Sequence, residues 1–172
     1  MALTLLRHAP LPAYYHGRYN GWTDISIDTE AFEEEKVALL QRQHFDTIYA
    51  STLKRTQETL EQMGIQAYQC DARLDEVRFK AHIEGLNFEE ISKLPSFDES
   101  LLDSKELWHH YVCAERMEHF KARTYDFLES LPKEKEILIC AHAGTIKMLL
   151  QHLGLNRSHI EYLEFIRIEH GI

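Results

Sequence analysis

The sequence predicts an α/β fold in which a mostly parallel central sheet is flanked by helices on both faces. Three observations lead there. Residues 136–141 (Glu136-Ile137-Leu138-Ile139-Cys140-Ala141) form an almost unbroken apolar run, the pattern of a strand covered on both faces. Short apolar runs alternate with segments of helical periodicity along most of the 172 residues, as successive strand and crossover units require. Three of these runs pass into a turn or helix through basic residues: Arg7 with His8, Arg55, and His142.

The first run, Ala2-Leu3-Thr4-Leu5-Leu6, ends at Arg7-His8, and Pro10 and Pro12 deny a helix there. Residues 13–24 are rich in glycine and aromatics, a loop folded over something rather than a linker. Asp28 or Thr29 can cap a helix running to about His44, with acidic residues in its first turns. Residues 46–51 read as a second strand, and Ser51 and Thr52 offer caps for the helix that follows. Leu53, Thr56, Leu60 and Met63 fall on the inner face of that helix, Gly64 ends it, and Arg55 stands in its first turn off the buried stripe. A shorter third strand is expected within Ile65–Cys70.

From about 71 to 110 the chain reads as a cap-like insertion within a single domain spanning 1–172. A loop carries Asp75-Glu76 towards Glu84-Gly85-Leu86, a short helix follows near 87–93, and Pro95 with the acidic 98–103 stretch forms an exposed connection. One long amphipathic helix is expected over about 106–131, presenting Met117, Phe120, Thr124, Phe127 and Leu131 on one face, with Pro132 as its stop. After the buried strand, His142-Ala143-Gly144-Thr145 turns into a helix with Ile146, Leu149, Leu150 and Leu153 inward. An alternating strand over 161–168 completes the sheet.

An apolar content of 44% is enough for one well-buried core. The net charge of -9 argues against nucleic acid or an anionic membrane as a general partner, and leaves a small anionic substrate held in a local positive pocket. No apolar run approaches the roughly 20 residues that span a bilayer. The opening run is too short, and lacks the basic leader, for a signal peptide. Three widely separated cysteines, Cys70, Cys113 and Cys140, suit reduced thiols in a cytoplasm rather than a disulfide framework, and the expected assembly is a monomer or homodimer.

In a parallel sheet with right-handed crossovers the carboxyl ends of the strands share one edge. Arg7, His8, Arg55 and His142 therefore converge, together with the amide donors at the start of the helix after Gly144. A phosphoryl group fits such a nest, which holds more donors than a carboxylate needs. The arginines neutralise its non-bridging oxygens, the main demand of phosphoryl transfer. A histidine here either donates a hydrogen bond or attacks phosphorus. Attack needs one ring nitrogen unprotonated and the other held as a donor, a task for a backbone carbonyl in the turn that carries His8. The leaving alkoxide needs an acid, and Asp75, Glu76 and Glu84 all remain open on the residues alone. No metal and no cofactor are required, because the arginines and the second histidine supply the charge. His109, His110 and His119 read as a solvated helix face rather than metal ligands, and Cys140 as a packed thiol. Tyr14, Tyr15, Tyr19 and Trp22 either line a pocket for a ring or pack their loop down.

These segments resemble, in order, the signatures of the histidine phosphatase superfamily, also called phosphoglycerate-mutase-like. Leu6-Arg7-His8-Ala9 is similar to its Arg-His-Gly signature, and residues 17–24 (Gly-Arg-Tyr-Asn-Gly-Trp-Thr-Asp) to its Gly-Arg-x-Gln-Gly loop. Residues 51–59 resemble its Ser-x-Leu-x-Arg-x-x-x-Thr helix start, the stretch from Leu74-Asp75-Glu76 to Glu84-Gly85-Leu86 its acid-bearing loop, and Ala141-His142-Ala143-Gly144 its Ser-His-Gly-Gly. The resemblance implies the phosphoglycerate-mutase-like fold, His8 as nucleophile, and Glu76 as proton donor. It gives Arg7, Arg55 and His142 to the phosphoryl group, and brings Arg18, Asn20 and Gly21 near the substrate. Residues 84–91 look most like the α-ribazole phosphatase branch of cobalamin synthesis. Ala9 and Ala143 replace glycines, Asn20 replaces glutamine, and Leu11 and Tyr14 stand at usually polar positions, departures that touch substrate contacts more than chemistry. The short chain leaves little room for the closing insertions of the family's mutases, and the Glu-Gly loop sets it apart from the branch that acts on protein phosphohistidine. The expectation is a metal-independent phosphomonoesterase acting on a small phosphorylated metabolite, with α-ribazole 5'-phosphate as one candidate. A protein phosphohistidine phosphatase and a non-catalytic phosphate-metabolite-binding module are the alternatives.

Overall fold

The computed structural model describes residues 2–169. Five strands form one sheet: β1 (Ala2–Arg7), β2 (Thr47–Ala50), β3 (Gln69–Cys70), β4 (Glu136–Ala141) and β5 (Phe165–Glu169), in the order β3-β2-β4-β1-β5. β1 and β2 both run parallel to β4, β3 runs parallel to β2, and β5 is antiparallel to β1. The register sets Arg7 beside Ala141 and Ala50 beside Cys140, so three carboxyl ends finish level on one edge. This is the mostly parallel α/β architecture expected.

Helices cover both faces. On one side α1 (Glu34–Gln41) and α2 (Lys54–Gln62) bury Val37, Leu40 and Leu60 against Leu6, Leu138 and Cys140. On the other, α5 (Met117–Glu129) and α6 (Ala143–His152) bury Phe127, Leu128, Ile146 and Leu149 against Leu3, Leu5, Ile137 and Ile139. Alternate side chains of β4 thus enter two separate cores, which is why its sequence is apolar throughout. A third cluster, including Val77, Ile83, Ile91, Val112 and Phe120, packs the segment between β3 and α5 onto the second pair of helices.

Several expected boundaries move, each for a local reason. The helix expected from Asp28 begins only at Glu34, because the Asp28 carboxylate accepts from the N–H groups of Glu30 and Ala31 and closes a turn instead. The single helix expected over 106–131 is two, α4 (Lys105–Val112) and α5. Cys113 between them is extended, bridges to Phe79, and is followed by N–H groups of Ala114 and Glu115 that donate to the Arg78 carbonyl. The third strand shortens to Gln69–Cys70. The short helix near 87–93 is α3 (Phe88–Ser92), capped reciprocally by Asn87 and Glu90, and the exposed connection contains a single 3-10 turn at Glu99–Leu102. The last strand starts at Phe165, not 161. Leu163 takes a left-handed conformation (φ 58°) and its N–H returns to the Arg7 carbonyl, leaving Glu161 and Tyr162 in a turn beside the sheet edge.

Candidate active site

His8 directly follows β1, where its N–H donates to the Ala141 carbonyl at 3.0 Å. Its turn is pinned by the Ala9 N–H, which donates to Thr59 Oγ1 on α2 at 2.8 Å. The His8 Nδ1 lies 2.8 Å from the Ala9 carbonyl oxygen. A carbonyl only accepts, so Nδ1 carries the hydrogen and the Nε2 lone pair is left free. Burial, reinforced by the Arg55 and Arg7 cations, holds the His8 pKa well below the ordinary histidine value. The ring is a neutral base at pH 7, the form in which a histidine can attack.

Two arginines flank it, Arg7 partly buried and Arg55 fully so. Arg7 lies over the Tyr162 ring at 3.9 Å and donates through Nη1 to the Ile160 carbonyl at 2.6 Å, while its Nε is buried without a protein partner. Arg55 is 1% exposed, which corrects its expected place off the buried stripe. The cause is α2's start: neither Ser51 nor Thr52 caps it, and the Lys54 N–H donates to Asp24 Oδ1, so the first turn tips Arg55 into the sheet edge. There Arg55 donates to the Gly21 carbonyl at 2.7 Å, the Thr23 carbonyl at 3.0 Å and His142 Nδ1 at 3.2 Å. Burial lowers both guanidinium pKa values, without bringing an arginine into the range where it releases its proton.

His142 is the residue before α6, with its ring centroid 5.3 Å from that of His8. Because Arg55 donates to its Nδ1, the hydrogen sits on Nε2 and is given to Ser51 Oγ at 2.8 Å. Burial, with Arg55 next, also keeps this imidazole neutral by pushing its pKa well below the ordinary value.

The carboxylates left open by the sequence separate in space. Asp75 accepts from the Thr52 N–H and hydroxyl, and Glu84 from the N–H groups of Gly21 and Thr23 and the Thr23 hydroxyl. Both are spent on loops. Glu76 faces the same cavity as His8, with Oε2 accepting from the Gly144 N–H at 3.0 Å and Oε1 from Val77 N–H at 3.0 Å. The Gly144 donor, expected to meet an anion, is thus occupied by the Glu76 carboxylate. Arg123 on α5, which no sequence pattern singled out, holds this loop by donating to the carbonyls of Arg73, Asp75 and Glu76.

These groups open into a cavity of about 630 Å³. Arg18 and Asn20 line it; Gly21 does not, since its carbonyl and N–H are taken by Arg55 and Glu84. His142 is not on the lining either: it backs His8 and Arg55 from beneath. Tyr15 and Tyr19 line the cavity, whereas Tyr14 is 69% exposed and the Trp22 indole donates to the Glu76 carbonyl. Tyr162, His159 and Lys147 complete the walls, none of them expected. Tyr162 was hidden by reading 161–168 as strand, and His159 lies just before that segment; Lys147 was legible as the residue one helical turn after Ala143. Among the described residues no cluster of histidine, cysteine and carboxylate is placed to hold a metal ion, and no helix is long and apolar enough to cross a membrane.

A family model described as the histidine phosphatase superfamily (branch 1) matches residues 3–168. The 2,3-bisphosphoglycerate-dependent phosphoglycerate mutase of Buchnera aphidicola subsp. Cinara cedri is 27% identical, over 88% of this chain and 83% of its own length. The mutase of the same description from Pseudoalteromonas atlantica is 24% identical over the same shares. Among solved structures, TTHB049 from Thermus thermophilus superposes with a TM-score of 0.75 at 25% identity, covering 98% of this chain and 94% of its own. A phosphoserine phosphatase from Entamoeba histolytica, solved with 3-phosphoglyceric acid, has the same fold with a TM-score of 0.79 at 21% identity, covering 96% and 89%.

Proposed function

Since the chain belongs to branch 1 of the histidine phosphatase superfamily and is a phosphoryl-transfer enzyme, we propose that its reaction is hydrolysis of a small phosphomonoester through a phosphohistidine at His8. The observation that carries this reading is a neutral His8, with Nε2 free, facing one cavity together with Arg7, Arg55 and Glu76. His8 Nε2 forms a bond to phosphorus as the ester P–O bond breaks, and Glu76 gives its proton to the departing oxygen. Arg7 and Arg55 neutralise the equatorial oxygens; the buried, unpartnered Nε of Arg7 is one donor for them. Glu76 then takes a proton from water, which attacks phosphorus, releases phosphate and restores neutral His8. The role of His142 is to hold Arg55 in place, its Nδ1 accepting from the Arg55 Nε behind the cavity wall.

The substrate is a small phosphorylated metabolite. The 84–91 segment, the basis of the α-ribazole resemblance, supports that ester weakly. Glu84 braces the 21–23 loop, Asn87 and Glu90 cap α3, and Glu90 pairs with Arg18 at 2.7 Å. Free Cys70, Cys113 and Cys140 support a reducing, cytoplasmic setting.

The test is hydrolysis of p-nitrophenyl phosphate and a panel of metabolite esters, including α-ribazole 5'-phosphate and both phosphoglycerates, in the presence of EDTA. Turnover that survives the chelator and disappears in His8→Ala is the expected result. Turnover that needs a metal, or phosphoglycerate interconversion without net phosphate release, would overturn the hydrolase reading.

A further inference from the structure

Taking the site as the phosphoryl site proposed above, its cations can be divided by what already neutralises them. Arg7 and Arg55 stand at the phosphoryl end. Arg18, further out, is committed: it donates to Glu90 at 2.7 Å, to the Gly85 carbonyl at 2.9 Å and to the Tyr14 carbonyl at 2.8 Å. The His16 ring is bonded to the Leu11 carbonyl at 2.6 Å, and His159 to Glu161 at 2.9 Å. Lys147 also lines the cavity, partly buried, and it forms no ion pair or hydrogen bond among the described residues. The chain carries 28 acidic residues against 19 basic ones, so carboxylates to pair it were plentiful.

The placement of Lys147 is set by helix geometry. It lies four residues after Ala143, which lines the same cavity, so the two share one face of α6 and are about 6 Å apart along its axis. Gly144 at the head of that helix contacts Glu76, beside the leaving-group oxygen. Lys147 therefore lines the cavity one helical turn beyond the α6 residue that contacts Glu76, the acid proposed for the leaving group. A cavity of about 630 Å³ has room there for more than a phosphoryl group.

We propose that Lys147 is a specificity residue that binds a second anionic group, a carboxylate or a further phosphate, on the part of the substrate that leaves. The preferred substrate class is then a phosphomonoester of a short, acidic alcohol. A neutral nucleoside such as α-ribazole offers Lys147 nothing to bind.

Two matched pairs of esters read this directly. 3-Phosphoglycerate and glycerol 3-phosphate differ only in a carboxylate; 1,3-propanediol bisphosphate and 3-hydroxypropyl phosphate differ only in a second phosphate. The wild-type protein is expected to favour the more anionic member of at least one pair in kcat/KM, and the pair identifies which anion. Lys147→Met keeps the aliphatic stem and removes the charge; that preference is expected to fall about tenfold, the scale of one charge-assisted contact. Lys147→Arg is expected to retain most of it. An unchanged preference in Lys147→Met, with the protein folded, would overturn the proposal. The same pairs measured by calorimetric binding to His8→Gln, with and without Lys147→Met, keep the two readings apart. No hydrolysis by the wild type would refute the hydrolase reading, while the binding preference would still decide Lys147.

Discussion

Adding one carbon at Gly144 tests whether Glu76 is the acid. A Cβ built there lies 2.4 Å from Glu76 Oε1, whereas ordinary contact begins near 3.4 Å, so the carboxyl group has to retreat by about 1 Å. Folding tolerates this, because the displaced group is the end of a flexible side chain. Gly144 also sits within α6, where alanine is favoured over glycine by about 0.5–1 kcal/mol. The Gly144→Ala melting temperature is therefore expected to hold or rise slightly. Catalysis does not tolerate it: a reacting group misplaced by about 1 Å costs on the order of 100-fold, or about 2.7 kcal/mol of barrier. The assay compares kcat/KM for an alkyl phosphate with that for p-nitrophenyl phosphate, since this parameter reports the steps through transfer to the enzyme. An alkoxide needs the acid and is expected to lose about 100-fold; p-nitrophenolate leaves without help and is expected to lose less than tenfold. Full alkyl phosphatase activity in a folded Gly144→Ala protein would refute the reasoning, and so would an equal loss on both esters.

Two other expectations concern the buried histidines. Ser51→Ala removes the acceptor of the His142 Nε2–H, 2.8 Å away in a fully buried setting, and is expected to cost about 1–3 kcal/mol in urea unfolding; a cost near zero would contradict the assigned hydrogen. The pKa values of His8 and His142 are lowered on folding by burial and the nearby arginines, so below about pH 6.5 the unfolded chain binds protons that the native state refuses. Their contribution is complete above about pH 7 and is lost as pH falls, by about 2 kcal/mol per imidazole between pH 7 and pH 5 if the folded ring stays neutral. Urea unfolding at the two pH values should show His8→Gln losing about 2 kcal/mol less than wild type, and equal losses would place the His8 proton affinity at its ordinary value.

The sheet was legible because its strands announce burial directly: Ile137 to Ala141 face two cores and are apolar throughout. So was the gathering of Arg7, His8, Arg55 and His142, because parallel strands place their carboxyl ends together; Glu76 was chosen among Asp75, Glu76 and Glu84 only by the family resemblance. What escaped depends on contacts remote in sequence. The break at Cys113 comes from pairing with Phe79, and periodicity continues on both sides of it. The burial of Arg55, read as off the buried stripe, escaped because the carbonyls that enclose it, from Gly21 and Thr23, lie more than thirty residues earlier. Arg123 holds the Glu76 loop from mid-helix, a position that looks solvated in sequence. Tyr162 was concealed by alternation that mimics a strand, while the left-handed Leu163 turns the chain aside.

The central claim is that His8 attacks phosphorus through Nε2, because the Ala9 carbonyl holds the hydrogen on Nδ1. The direct measurement is rapid acid-free quenching of the enzyme during turnover of a phosphate ester, followed by peptide mapping and phosphorus NMR of the labelled peptide. The account expects an acid-labile phosphoryl group on His8, bonded to Nε2, and none in His8→Gln. Steady turnover with no phosphoryl-enzyme, or a phosphoryl group on any other residue or on Nδ1, would contradict it.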